Sequence, residues 1–235
     1  MRLRRTVQWS LAPIVIVVIG LGWKYPLLGF AVPAVMLAGV VGALFRGRYV
    51  CGNLCPRGGF FDRIVAPLSR KKPIPNWLRS TALRWTILAA LMGFMVFRIL
   101  QNPGDIRHWG RVFWLVCVIT TAAGVVFGVL IHPRVWCAVC PSGTVQNALG
   151  GGKGRLSIDA GLCVECGKCE RVCPFALLIR QDRDRGALQS RDCLKCGECI
   201  TACPKDALGW PQAGQQEAPS RRRPREADRV QRDAV

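Results

Sequence analysis

The sequence predicts an α-helical membrane protein: four transmembrane helices followed by a small α+β module. Three observations carry this fold class. Four apolar runs of near-membrane length fill the first 131 residues, and the chain as a whole is 51% hydrophobic. Thirteen cysteines fall in spaced groups, eight of them inside one short C-terminal stretch. The net charge of +19 is uneven: residues 1–154 carry eighteen Lys/Arg against only Asp62 and Asp105. Basic residues flanking apolar runs are a membrane-topology pattern, and no nucleic-acid motif accompanies the charge, so no nucleic-acid partner is expected.

The first element follows a basic start at Met1–Arg5 and runs about 7–23. A signal peptide is the rival reading, but no small-residue cleavage site stands out and a second apolar run follows almost at once. Lys24-Tyr25-Pro26 turns into the second helix, about 27–45, which Pro33 is expected to kink. A polar loop over 46–79 holds eight Lys/Arg. The third and fourth helices run about 80–100 and 112–131, long enough for a hydrocarbon layer that needs about 20 helical residues. Arg84 and Arg98 fall near the ends of the third, where long side chains snorkel. Trp9, Trp23, Trp77, Trp109 and Trp114 read as interfacial anchors. The membrane domain thus covers 1–149, a Gly-rich linker 150–154, the cysteine-rich module 155–210, and a Gln-, Arg- and Pro-rich tail, read as disordered, 211–235. The basic N-terminus and 46–79 loop place both termini and the module in the cytoplasm of a bacterial inner membrane, with four passes between them.

The module reads Cys163-x2-Cys166-x2-Cys169-x3-Cys173-Pro174, then Cys193-x2-Cys196-x2-Cys199-x3-Cys203-Pro204. This is the bacterial-type ferredoxin spacing for two [4Fe–4S] clusters, in which the fourth cysteine of each run ligates the other cluster. It predicts Cys163, Cys166, Cys169 and Cys203 on one cluster, and Cys193, Cys196, Cys199 and Cys173 on the second. Structural zinc is the alternative, but zinc sites take two spaced pairs rather than two triplets closed by Cys-Pro.

A second set lies outside the module. Arg48-x2-Cys51-x3-Cys55-Pro56-x-Gly58 follows the second helix, and Arg134-x2-Cys137-x2-Cys140-Pro141-x-Gly143 follows the fourth. This is an internal repeat, a helix hairpin with a cysteine pair at its exit. Both pairs lie on the same membrane face, so Cys51, Cys55, Cys137 and Cys140 are candidate ligands of a further iron–sulfur or metal centre. Two redox-active dithiols, or structural zinc, remain the alternatives.

These motifs together resemble the NapH/MauN family of ferredoxin-type membrane proteins, and more broadly the membrane polyferredoxins related to NosR and CcoG. The resemblance covers residues 1–210. It implies an electron-transfer component, a candidate quinol dehydrogenase subunit, that passes electrons between quinol and iron–sulfur or haem partners of respiratory or periplasmic enzymes. It also carries the family's membrane-side cysteines onto Cys51, Cys55, Cys137 and Cys140. The x2 spacing of the second pair departs from the x3 of the first, and no flavin-bearing N-terminal domain like that of NosR is expected. An assembly factor that reduces a metal or thiol for another complex, as CcoG-like proteins are thought to do, is the alternative function; a redox-sensing regulator acting through the tail is another.

Other residues point to plainer roles. Cys117 reads as a packed small hydrophobe. His108, in the outer loop, and His132 are about 36 Å apart along a helix axis and cannot share a haem. No Cys-x-x-Cys-His occurs, so no haem is expected. Asp105, Arg107, His108 and Trp109 form a candidate quinol-facing group on the outer loop, where a histidine has the proton affinity the chemistry needs.

Overall fold

The computed structural model describes residues 2–211; apart from Pro211, the tail read as disordered lies outside the described residues. Helix α1 (Arg2–Leu21) takes in the basic start that the sequence suggested was a tail. A 3₁₀ turn over Pro26–Phe30 leads into α2 (Ala31–Arg46). Pro33 therefore falls in the first turn of α2 and not in mid-helix, where a missing N–H would break the ladder. The loop over 46–79 is largely folded. It contains α3 (Tyr49–Asn53), α4 (Pro56–Phe60), a π turn at Phe61–Val65 and a 3₁₀ turn at Asn76–Arg79.

Ser80 caps the next helix, α5 (Thr81–Leu100), by accepting from the Leu83 N–H at 3.4 Å. Helix α6 (Ile106–Leu130) begins six residues before the apolar run suggested. The charged residues there look like loop in the sequence, but Asp105 caps the helix by accepting from the Arg107 N–H at 2.8 Å. His108 and Trp109 therefore sit in its first turn, not in a loop. All four long helices, counting Pro26–Arg46 as one span, are long and apolar enough to cross a membrane.

Close packing in the bundle relies on missing side chains. A Cβ on Gly29 would fall 2.0 Å from the Gly110 carbonyl oxygen, and one on Gly110 would fall 2.2 Å from that of Pro26. Small residues of this kind let membrane helices approach where no hydrophobic force drives them together. Trp114 joins α6 to α1 by donating to the Ile19 carbonyl at 3.0 Å, an inter-helix strut.

Beyond α6 come α7 (Val135–Val139) and α8 (Pro141–Gly150). The module adds β1 (Ser157–Ile158), α9 (Lys168–Arg171), α10 (Glu198–Ala202) and β2 (Leu208–Gly209). The antiparallel strands pair Ser157 with Gly209 and Ile158 with Leu208, closing the module's two ends on each other. Its core of Leu156, Phe175, Leu177, Leu188, Leu194 and Leu208 is continuous with Val135 and Ala138 of α7. The glycine stretch between the parts is held against the bundle: Gly150 abuts the Ala43 carbonyl, and Lys153 donates to the Leu44 carbonyl at 2.5 Å.

Candidate iron–sulfur sites

The module contains two cavities, and their linings cross. One is bounded by Cys163, Cys166, Cys169 and Cys203 with apolar support from Ile158 and Leu208. The other is bounded by Cys173, Cys193, Cys196 and Cys199 under Phe175 and Leu188. Each triplet thus faces the last cysteine of the other run. Gly167 (φ 70°) and Gly197 (φ 76°), at matching places in the two loops, supply the left-handed turns that start α9 and α10. Burial pushes the Cys193 thiol up to about 11 and Cys199 higher still, so these two thiols stay protonated until something takes their thiolates.

Among the described residues, no three Cys, His, Asp or Glu side chains converge closely enough to grip a single metal ion. A zinc tetrathiolate holds its sulfurs about 3.8 Å apart. Four cysteines lining each cavity are the donor set that an iron–sulfur cube takes.

The four membrane-side cysteines come from the two repeats. Burial raises the Cys51 thiol to about 12; Arg48 pulls it down, and Cys55, Cys140 and Cys137 push it up. Cys55 is also raised, first by burial, with Cys137 and Cys140 adding to it. The charges of Cys137 and Cys140 thus act on Cys51 and Cys55, so the two half-buried pairs are neighbours. Cys55 and Cys140 immediately precede α4 and α8, each opened by the proline of a Cys-Pro step, where the absent N–H costs nothing.

The arginines of the two motifs explain the rest of the repeat. Arg48 and Arg134, each 1% exposed, cross to the opposite repeat. Arg48 donates to the Cys137 carbonyl at 2.9 Å, and Arg134 to the Cys51 carbonyl at 3.1 Å. A Cβ on Gly143 would fall 2.7 Å from Arg48 Nη2, and one on Gly58 would fall 2.6 Å from Arg134 Nη1. The Gly of each Cys-Pro-x-Gly thus leaves room for the other motif's arginine. The sequence shows the repeat but not this role for its arginines and glycines, whose recurrence at equal offsets is the one signal of it.

Each arginine also ends on a carboxylate. Arg134 forks onto Asp62 with two 2.7 Å bonds, and Arg4 joins the same carboxylate at 2.9 Å. Burial alone would raise Asp62, but Arg134 and then Arg4 hold it below the usual carboxylate range. Asp192, next to Cys193, accepts from Arg48 at 2.6 Å, from Arg84 at 2.8 and 2.6 Å, and from Asn147 at 2.5 Å. Arg84 is therefore not snorkelling: it is 6% exposed and pinned in this network. Burial would raise Asp192 too; the Arg84 hydrogen bonds and the Arg48 and Arg84 charges lower it.

The remaining candidates are placed more simply. His108 Nε2 lies 2.8 Å from the Arg98 carbonyl and ties the start of α6 to the end of α5. His132, beyond the other end of α6, accepts from the Arg134 N–H at 3.2 Å through Nδ1. Cys117 lies 3.9 Å from the Thr121 hydroxyl, a local contact along α6.

Four helices able to cross a membrane, joined to cysteine-lined cavities of this donor set, define a membrane-bound ferredoxin-type protein. Family comparison agrees. A 4Fe–4S binding domain matches twice, over residues 28–75 and 111–159, once for each cysteine pair. A 4Fe–4S dicluster domain matches residues 155–204. The chain is homologous to ferredoxin-type proteins of the MauN and NapH kind. It is 32% identical over 149 residues to the methylamine utilization ferredoxin-type protein MauN of Methylobacillus flagellatus, covering 56% of this chain and 50% of that protein. It is 32% identical over 156 residues to the ferredoxin-type protein NapH of Haemophilus influenzae, covering 59% and 51%. The chain thus spans about half the length of these relatives. No solved structure matches.

Proposed function

We propose that the protein relays electrons between quinol in the membrane and redox protein partners. Cys163, Cys166, Cys169 and Cys203 hold one [4Fe–4S] cluster; Cys193, Cys196, Cys199 and Cys173 hold a second; Cys51, Cys55, Cys137 and Cys140 hold a further centre shared between the repeats. The clusters, once bound, supply one-electron transfer. The chain's residues hold them apart from water and fix their neighbours: apolar side chains close both module cavities, and Arg48 and Arg134 lay positive charge beside the membrane-side thiolates. The single observation that supports this reading most is that each motif's arginine reaches the cysteine of the other motif, bringing the two pairs together beneath the module at the exits of α2 and α6. Under this reading the module faces the cytoplasm, the side where Arg4, Arg48 and the other basic residues gather. A membrane-impermeant thiol reagent applied to intact cells expressing the apoprotein should then leave Cys166, the exposed ligand, unmodified.

The test is anaerobic addition of menaquinol or ubiquinol to the iron-loaded protein in nanodiscs. Bleaching of the visible cluster absorbance is expected, with a large loss of rate in Cys137→Ser. Failure of every quinol to bleach the wild-type protein would overturn the quinol role.

A further inference from the structure

The module is seated on the membrane domain by the side that carries Cys173, Cys193, Cys196 and Cys199. A Cβ on Gly52, next to Cys51, would fall 2.2 Å from the carbonyl oxygen of Leu194, next to Cys193. Asn53 donates to the Lys195 carbonyl at 3.5 Å, and Arg4 reaches Glu198 at 2.6 Å. From the other side, Arg79 donates to the Phe175 carbonyl at 2.7 Å, two residues after Cys173. These contacts fall on the loops that carry Cys173, Cys193, Cys196 and Cys199.

One side chain reaches both sets of cysteines. Arg48 donates through Nη2 to the Cys137 carbonyl and through Nη1 to Asp192, the residue before Cys193. Its guanidinium also lies 5.1 Å from the centre of the Phe175 ring, which helps close the second cavity. We propose that Arg48 is a positioning residue bridging the four-cysteine centre and the Cys193-side cluster, so that this cluster is the proximal one and its potential is set by the Arg48–Asp192–Arg84 charges. The Cys163-side cluster is then the distal one, and Cys166, an exposed ligand, lies at the exit to partners. This rests on the function proposed above.

Charges beside a cluster move its potential in a definite direction. Reduction adds negative charge, so a nearby cation favours it and a nearby anion opposes it. Asp192→Asn leaves Arg48 and Arg84 uncompensated; Arg48→Gln removes a cation; Arg48→Lys keeps the charge but not the fork.

The experiment is an EPR-monitored redox titration of the full-length, iron-loaded protein, with the two module signals assigned by Cys166→Ser. Asp192→Asn should raise the reduced-to-oxidised ratio of the Cys193-side cluster about tenfold at fixed potential, a shift of about 59 mV. Arg48→Gln should lower that ratio, and Arg48→Lys should leave it within about twofold. The Cys163-side ratio should change less than the Cys193-side ratio in every variant. Equal shifts at both clusters, a larger shift at the Cys163 side, or a Lys variant that behaves like Gln would overturn the proposal. Iron content separates the two readings. If Cys51→Ser with Cys137→Ser loses no iron, the shared centre fails, while the selective shift at the Cys193 side still reports on Arg48.

Discussion

Arg48 and Asp192 stand 144 positions apart in the chain and 2.6 Å apart in space, joining the exit of a membrane helix to the residue before Cys193. The pair does not act alone. Arg134 makes the equivalent reach across the repeat to Cys51 and Asp62, so the cysteine pairs are interlocked by two crossed arginines. Buried charges cost several kcal/mol each to desolvate and persist only when fully paired. Here each carboxylate is met by two arginines.

The crossing depends on the two glycines beneath it. Gly143→Ala should displace Arg48, and Gly58→Ala should displace Arg134, each lowering stability by about 1–3 kcal/mol. Thermal or denaturant unfolding in detergent gives the size. A double-mutant cycle of Gly143→Ala with Arg48→Gln should be strongly non-additive, because the alanine then meets only the Cys137 carbonyl, 3.1 Å from the added Cβ. Simple additivity would show that the glycine serves some other neighbour.

The crossed linings of the two module cavities predict which cysteines fail together. Cys203→Ser and Cys166→Ser should damage the same EPR signal, and Cys173→Ser and Cys196→Ser the other. Pairing by run instead, with Cys173→Ser matching Cys166→Ser, would contradict the assignment.

Much of this was legible in the sequence because spacing encodes it. Cys163 to Cys203 form a local pattern whose geometry is fixed by turns a few residues long. The apolar runs likewise announced four helices. The ends were less legible: Arg2–Arg5 and Ile106–Arg111 are polar enough to look like tail and loop, yet Asp105 provides a cap that extends α6. The arginine network was not legible as a network. Asp62 and Asp192 look like ordinary polar residues until folding brings Arg134 and Arg48 to them over long separations.

Helix packing offers a separate test. Gly110→Leu places a side chain where the Pro26 carbonyl lies 2.2 Å from an added Cβ. It should destabilise the bundle by about 2–4 kcal/mol, whereas Leu at Gly93, where an added Cβ meets nothing within 4 Å, should be nearly neutral. Matching unfolding curves for the two variants would argue against close approach of these helices.

Acid sensitivity should have a component from His132. Burial first, then Arg79 and Arg134 with a smaller push from Lys71, lowers it from 6.5 to about 4, against the opposing pull of Asp62. The folded state therefore holds it neutral. As pH falls from about 6.5 towards 4, the unfolded chain takes up the proton first, and stability falls by about 2 kcal/mol over that window. His132→Gln should flatten this part of the stability profile of the metal-free protein. An unchanged slope between pH 6.5 and 4 would assign the acid sensitivity elsewhere.

Under the proposed function the two membrane-side cysteine pairs make one shared cluster in addition to the two in the module. Iron and acid-labile sulfide per chain, measured on protein purified and reconstituted without oxygen, test it most directly. About twelve of each are expected for three four-iron clusters, falling to about eight when Cys51 and Cys137 are both replaced by Ser. About eight in both proteins would contradict it.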